Sequence, residues 1–154
     1  MQLKFLVDYQ GAIPVVARWY YEEWGHEVAG NSYEKTCERI RGKLNRDKVP
    51  LHIIAVENNN PLGVAQLKTQ EMDIYPDKKY WLGSVYVASE ARGRGIASKL
   101  AGKIVETANS FGIETLYLQT EKLVDGGLYS RVGWMPIEQV HYHGLDVLVM
   151  KRDL

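Results

Sequence analysis

The chain has 154 residues, 45% of them hydrophobic, with 19 Lys or Arg balanced by 19 Asp or Glu and a single cysteine. That length predicts one globular domain over 1–154 with room for a sizeable core, and zero net charge supplies no basic field for a nucleic acid. Cys37 alone excludes an internal disulfide and points to a cytoplasmic protein, and with four scattered histidines it gives no metal-ligand spacing, so no metal is expected.

The opening run Met-Gln-Leu-Lys-Phe-Leu-Val-Asp is too short for a signal peptide, and no run has the length of a membrane span, so no membrane partner is expected. Residues 3–7 predict a first strand. From Ile13 to Trp24 apolar and aromatic residues recur at helical spacing, at Val16, Trp19, Tyr20 and Trp24, and Gly25 closes the run. The aromatic group on this helix reads first as core. Asn31-Ser32 then caps a more charged helix reaching about Asn45. Leu51–Glu57 and Leu62–Lys68 predict an antiparallel hairpin around the turn Asn58-Asn59-Asn60-Pro61. Tyr80–Val87 is the next strand.

A long helix follows from about Arg94 to Phe111, with Ile96, Leu100, Ile104, Val105 and Ala108 on one face and Gly112 as its stop. Ile113–Thr120 predicts a strand, Val124–Val132 a helix ended by Gly133, and residues 134–140 and 145–150 a hairpin around His143-Gly144. The hairpin offers an edge on which a second copy could pair as a homodimer. The order defines an α/β fold whose mixed sheet holds one βαβ unit at its centre.

The most informative segment joins the strand ending at Val87 to the long helix. Gly93 and Gly95 open that helix, where first-turn N–H groups lack intrahelical partners and the macrodipole is positive. Glycines there admit a phosphate close to the backbone, and Arg92 and Arg94 add charge, so the segment is suited to a pyrophosphate. A Walker loop fails because Gly95 is followed by Ile96-Ala97 instead of Lys-Ser/Thr. A dinucleotide fingerprint has Ser98 where its third glycine belongs, and one βαβ unit leaves no room for two mononucleotide halves.

Arg92, Gly95 and Ala97 fit the pattern Arg/Gln, two residues, Gly, one residue, Gly/Ala, and Tyr129, Gly133 and Trp134 fit a later tyrosine and Gly-aromatic pair. On these residues the chain resembles the GNAT superfamily of N-acetyltransferases over 80–135. The resemblance implies a mixed, mostly antiparallel sheet with a central βαβ unit that binds acetyl-CoA as cosubstrate. It implies that Arg92, Gly93, Arg94, Gly95, Ile96 and Ala97 hold the pyrophosphate through backbone amides, with Ser98 adding a hydroxyl. Val85, Tyr86 and Val87 would run beside the pantetheine arm, the Val87 N–H facing the thioester oxygen. Gln119 and Thr120 would form the other lip of a slot between splayed strands. Tyr129 takes the position that protonates the departing thiolate.

The general base stays open. Many relatives carry a carboxylate on the strand before the glycine loop, where this chain has Gly83 and Ser84; Glu71, Asp73 and Glu121 are the nearest alternatives. Deprotonating a lysine-like amine at pH 7 costs about 4.6 kcal/mol and an α-amino group about 1, so a missing base favours a weakly basic acceptor. The expected activity is acetyl transfer to a primary amine of a small molecule by direct attack in a ternary complex, since no side chain reads as an activated nucleophile. The alternatives are a protein or peptide N-terminal acetyltransferase and a non-catalytic acyl-CoA sensor.

Overall fold

The computed structural model describes residues 1–124 and 126–154. Its strands are β1 (Gln2–Phe5), β2 (Leu51–Glu57), β3 (Asn60–Thr69), β4 (Tyr80–Val87), β5 (Thr115–Thr120), β6 (Met135–Tyr142) and β7 (Leu145–Asp153). They form one sheet in the order β1-β2-β3-β4-β5-β7-β6. Adjacent strands run antiparallel except β4 and β5, which are parallel and joined through helix α3 (Ile96–Ser110). The expected mixed, mostly antiparallel sheet with a central βαβ unit is therefore present.

Near-continuous apolar character in β2 and β3 follows from cover on both faces. Alternation divides their side chains between two cores. Leu51, Ile53, Ala65 and Leu67 pack with Ile96, Leu100 and Ile104 of α3. On the opposite face Ile54, Val56 and Val64 pack with Ile13, Val16 and Ala17 of helix α1 (Ile13–Glu23) and with Cys37 and Ile40 of helix α2 (Tyr33–Arg41). Cys37 is thus a buried apolar contact of α2. The Ser32 side chain accepts from the Lys35 amide and caps α2, as the Asn31-Ser32 pair predicts.

Most boundaries shift by one to three residues from the sequence reading, as where β7 runs to Asp153, and three differences have a clear local cause. β1 stops at Phe5 because Leu6–Asp8 turn into a 3-10 segment that buries Leu6. α2 ends at Arg41 instead of Asn45, with Gly42 as its cap. The predicted helix over Val124–Val132 is a 3-10 turn, Gly127–Val132; Asp125 lies outside the described residues. Gly126 and Gly127 have φ of +69° and +64°, a left-handed pair that no right-handed α-helix can contain.

The segment between β3 and β4 is fastened to the terminal hairpin. The Tyr75 hydroxyl bonds the Glu138 carboxylate, and Tyr142 donates to Asp73 Oδ1 at 2.9 Å. Trp81 donates from Nε1 to the Lys78 carbonyl at 2.7 Å. These ties set the path of the chain that carries Glu71 back to β4. At the far edge of the sheet, β6 is largely exposed.

Candidate active site

β4 and β5 pair only at Trp81↔Tyr117, near the start of β4, and diverge toward Val87 and Thr120. The pairing of β4 with β3 also shifts register between Val64 and Gln66, where Ser84 takes φ +52° in a β-bulge. Beyond the bulge the Ala88 N–H donates to the Leu62 carbonyl at 2.8 Å. Successive strand amides point to opposite edges, so the N–H and C=O of Val87 face the parting with β5. Arg92 Nε donates to that Val87 carbonyl at 3.0 Å, and its guanidinium lies 5.5 Å from the Tyr86 ring centre. Arg92 therefore ties the loop to the strand end.

Gly93 and Gly95 have φ of +81° and +75°, and a Cβ on either would meet nothing within 4 Å. Gly95 is the N-cap of α3 and provides no side-chain cap, so the amides of Ile96, Ala97 and Ser98 lack intrahelical partners. An open backbone cradle at a helix N-terminus fits a pyrophosphate. Arg94 is not aimed at that cradle alone: its guanidinium pairs with Glu57 Oε2 at 2.8 Å, which holds the Glu57 carboxyl below the usual range. Its expected charge on the pyrophosphate is thus shared with an acid of β2.

Tyr129 sits in the 3-10 turn that replaces the predicted helix. Its ring packs on the α3-side core and edge-on to Trp134, with centres 6.1 Å apart at 70°. Burial pushes its phenol up to about 12. The three motif residues are one unit, since the Trp134 amide donates to the Tyr129 carbonyl at 3.1 Å across Gly133, whose φ is +97°.

The three carboxylates named as candidates for the base have different surroundings. The Glu71 carboxylate lies directly over Gly83 of β4, in the volume a side chain there would fill, and pairs with Lys68 Nζ at 3.0 Å. Of the other two carboxylates, Asp73 is engaged by Tyr142 and Glu121 is exposed beyond β5. On this same face of the sheet a cavity of about 190 Å³ runs from Arg39 and Lys43 to Ser84 at the bulge. Its walls include Tyr20 of α1, which also packs on the α1-side core as the sequence suggests, and Trp24, the C-cap of α1. Trp19 keeps its core role, stacked 5.3 Å from Tyr86. His52 of β2, only 2% exposed, borders the cavity with its ring beside the Lys43 backbone. Burial, with Lys43 and Lys68 nearby, lowers its imidazole to about 3, so it is neutral. The Tyr20 hydroxyl is buried beside Ser84, and burial raises its ionisation.

A mixed sheet parted at a parallel pair, with a glycine cradle at one end of the parting and a cavity beside it, is a fold suited to an extended phosphate-bearing ligand. The family model for the Acetyltransferase (GNAT) family matches residues 13–134. An uncharacterized N-acetyltransferase of Bacillus subtilis (strain 168), YobR, is 35% identical over 63 residues, which are 40% of this chain and 26% of that protein. The matched segment is thus about a quarter of that relative's length. The crystal structure of a ribosomal-protein-alanine N-acetyltransferase from Brucella melitensis superposes with a TM-score of 0.78 at 21% identity, covering 100% of both chains. An aminoglycoside 6'-acetyltransferase type Ii superposes with a TM-score of 0.74 at 16% identity, covering 99% of this chain and 97% of its own. The chain belongs to the GNAT acetyltransferase family.

Proposed function

We propose that the protein, one catalytic domain over 1–154, transfers an acetyl group from acetyl-CoA to a primary amine of a small molecule in the cytoplasm, by direct attack in a ternary complex. The observation that carries this reading is the Glu71 carboxylate over Gly83, beside both the β4 bulge and a cavity large enough for a small acceptor. Acetyl-CoA brings an activated acyl thioester. Amides of Arg92 through Ala97 hold its pyrophosphate, and the Ser98 hydroxyl adds a contact. The edge of Val85, Tyr86 and Val87 lies along its amide-bearing arm. The Val87 N–H, facing the parting, donates to the carbonyl oxygen on which charge develops.

Glu71 accepts the proton of the incoming amine. A carboxylate in that place removes the energetic argument for a weakly basic acceptor, because the enzyme no longer relies on the amine deprotonating in bulk water. Tyr129 stands by the leaving sulfur. With its phenol near 12 against a thiol of ~8.5, full proton transfer would be uphill by roughly 5 kcal/mol. Tyr129 therefore acts as a hydrogen-bond donor to the thiolate, and solvent delivers the proton. The exposed edge of β6 is the place for a second copy, and sedimentation distinguishes monomer from dimer.

Thermal melting with acetyl-CoA, against NAD and ATP, tests the cosubstrate. At a hundredfold excess over Kd the gain is about 2.7 kcal/mol, a shift of roughly 5–10 °C for a chain of this size. Thiol release with an amine separates an enzyme from a sensor, which would show the shift and no turnover. A shift with NAD and none with acetyl-CoA would sink the proposal.

A further inference from the structure

The cavity beside Glu71 has a charge imbalance. Three cations contribute to its wall: Arg39, Lys43 and Lys68. Lys68 is matched by Glu71. Arg39 is held only by neutral oxygens, Asn31 Oδ1 at 2.8 Å and Thr36 Oγ1 at 3.3 Å. Lys43 makes no ion pair among the described residues; burial, Lys68 and Arg39 lower its ammonium, and the more distant Glu71 carboxylate offsets them only in part. Three cations around the single carboxylate of Glu71 leave this wall short of negative charge. Deeper in the cavity lie neutral His52, beside the Lys43 backbone, and the Tyr20 hydroxyl, beside Ser84.

We infer that the acceptor is an amine that also carries an acidic group, held between Arg39 and Lys43 while its amine reaches Glu71 at the β4 bulge. This deepens the proposed acetyl transfer and rests on it. The volume, about 190 Å³, equals that of about six waters at ~30 Å³ each, which suits a molecule of amino-acid size. Polycationic acceptors are disfavoured by the same charges. A spermidine or an aminoglycoside would bring further ammonium groups against Arg39 and Lys43.

The test is thiol release from acetyl-CoA with the twenty amino acids and O-phosphoethanolamine as acidic amines. Their carboxamides and ethanolamine serve as uncharged counterparts, and spermidine and kanamycin as polycations. At least one acidic amine should exceed its uncharged counterpart in kcat/KM by about tenfold or more. Preference for a carboxylate or for the phosphate decides which anion the site takes. In Lys43→Met and Arg39→Met, KM for that acidic amine should rise about tenfold while its counterpart is unaffected and kcat holds. Circular dichroism and the acetyl-CoA melting shift, retained in both variants, show that they fold. Equal rates for acid and carboxamide, preference for a polycation, or an acetyl-CoA shift with no turnover of any acidic amine each overturns the inference and leaves the cosubstrate assignment standing. Loss of the acetyl-CoA shift in the wild type would instead overturn the proposed function beneath it.

Discussion

Gly83→Ala isolates Glu71 without touching it. The added Cβ would overlap Glu71 Oε2 and stand 2.8 Å from Lys68 Cδ, both far ends of flexible side chains that can swing away. Gly83 lies outside the positive-φ glycines, so alanine adopts its backbone readily and gains about 0.5–1 kcal/mol over glycine in a strand. Against that stands the loss of a partly exposed ion pair, worth roughly 0–1 kcal/mol. Stability should therefore stay within about 1 kcal/mol of wild type in urea unfolding. Activity should not. A positioned base contributes about 10²–10⁴ in rate, and displacing it should cost kcat/KM about 10² or more in thiol release. The acetyl-CoA melting shift should be unchanged, because the cradle lies at the other end of β4. Raising the pH should narrow the deficit by about tenfold per unit up to the amine pKa, as free amine forms without help. Glu71→Gln should reproduce the loss. Wild-type turnover in either variant would refute the assignment of Glu71.

Tyr129→Phe should lower kcat by about 10² with acetyl-CoA affinity unchanged. Because its phenol lies near 12 instead of 10, the folded state holds this proton longer than the unfolded chain; stability falls as pH rises between about 10 and 12, by roughly 3 kcal/mol, and the Phe variant should lose that part of the alkaline slope in urea melts. His52 behaves in the opposite direction. Held neutral to about pH 3, it binds fewer protons when folded than when unfolded, so its stabilisation is full above about pH 6.5 and is lost on acidification toward 3, a few kcal/mol in all; His52→Leu should flatten that limb. Gly95→Ala places an L side chain at φ +75° with nothing near its Cβ, so the cost is backbone strain alone, about 1–2 kcal/mol, together with weaker acetyl-CoA binding in the melting assay.

The sheet, its order and the glycine cradle were legible because their signals are local. Gly95 and Gly112 bracket α3, and the hairpin of β2 and β3 is marked by three asparagines and a proline. The predicted helix before Gly133 failed on equally local grounds, since two adjacent glycines outweighed an apolar run. The acceptor side was not legible. Its residues come from α1, α2, β2, β3 and β4 and meet only through strand register, which pairs Gln66 with Gly83 and so brings the β3 and β4 side-chain positions to one face. Glu71 sits in a loop with no motif around it. The one sequence signal was negative: a glycine where relatives carry a side chain leaves a volume for another group to fill.

Loops between hairpin strands are ordinarily where a fold accepts insertions and deletions at little cost. The stretch between β3 and β4 has lost that freedom. Held at Asp73 and Tyr75 by the terminal hairpin and committed at Glu71 to the hollow over Gly83, it must keep both its length and its anchors. A one-residue change there alters chemistry as directly as a substitution in a strand. On the proposed role of Glu71, a variant of this chain with a shortened loop would need its carboxylate supplied from elsewhere, and the volume left for it lies over Gly83.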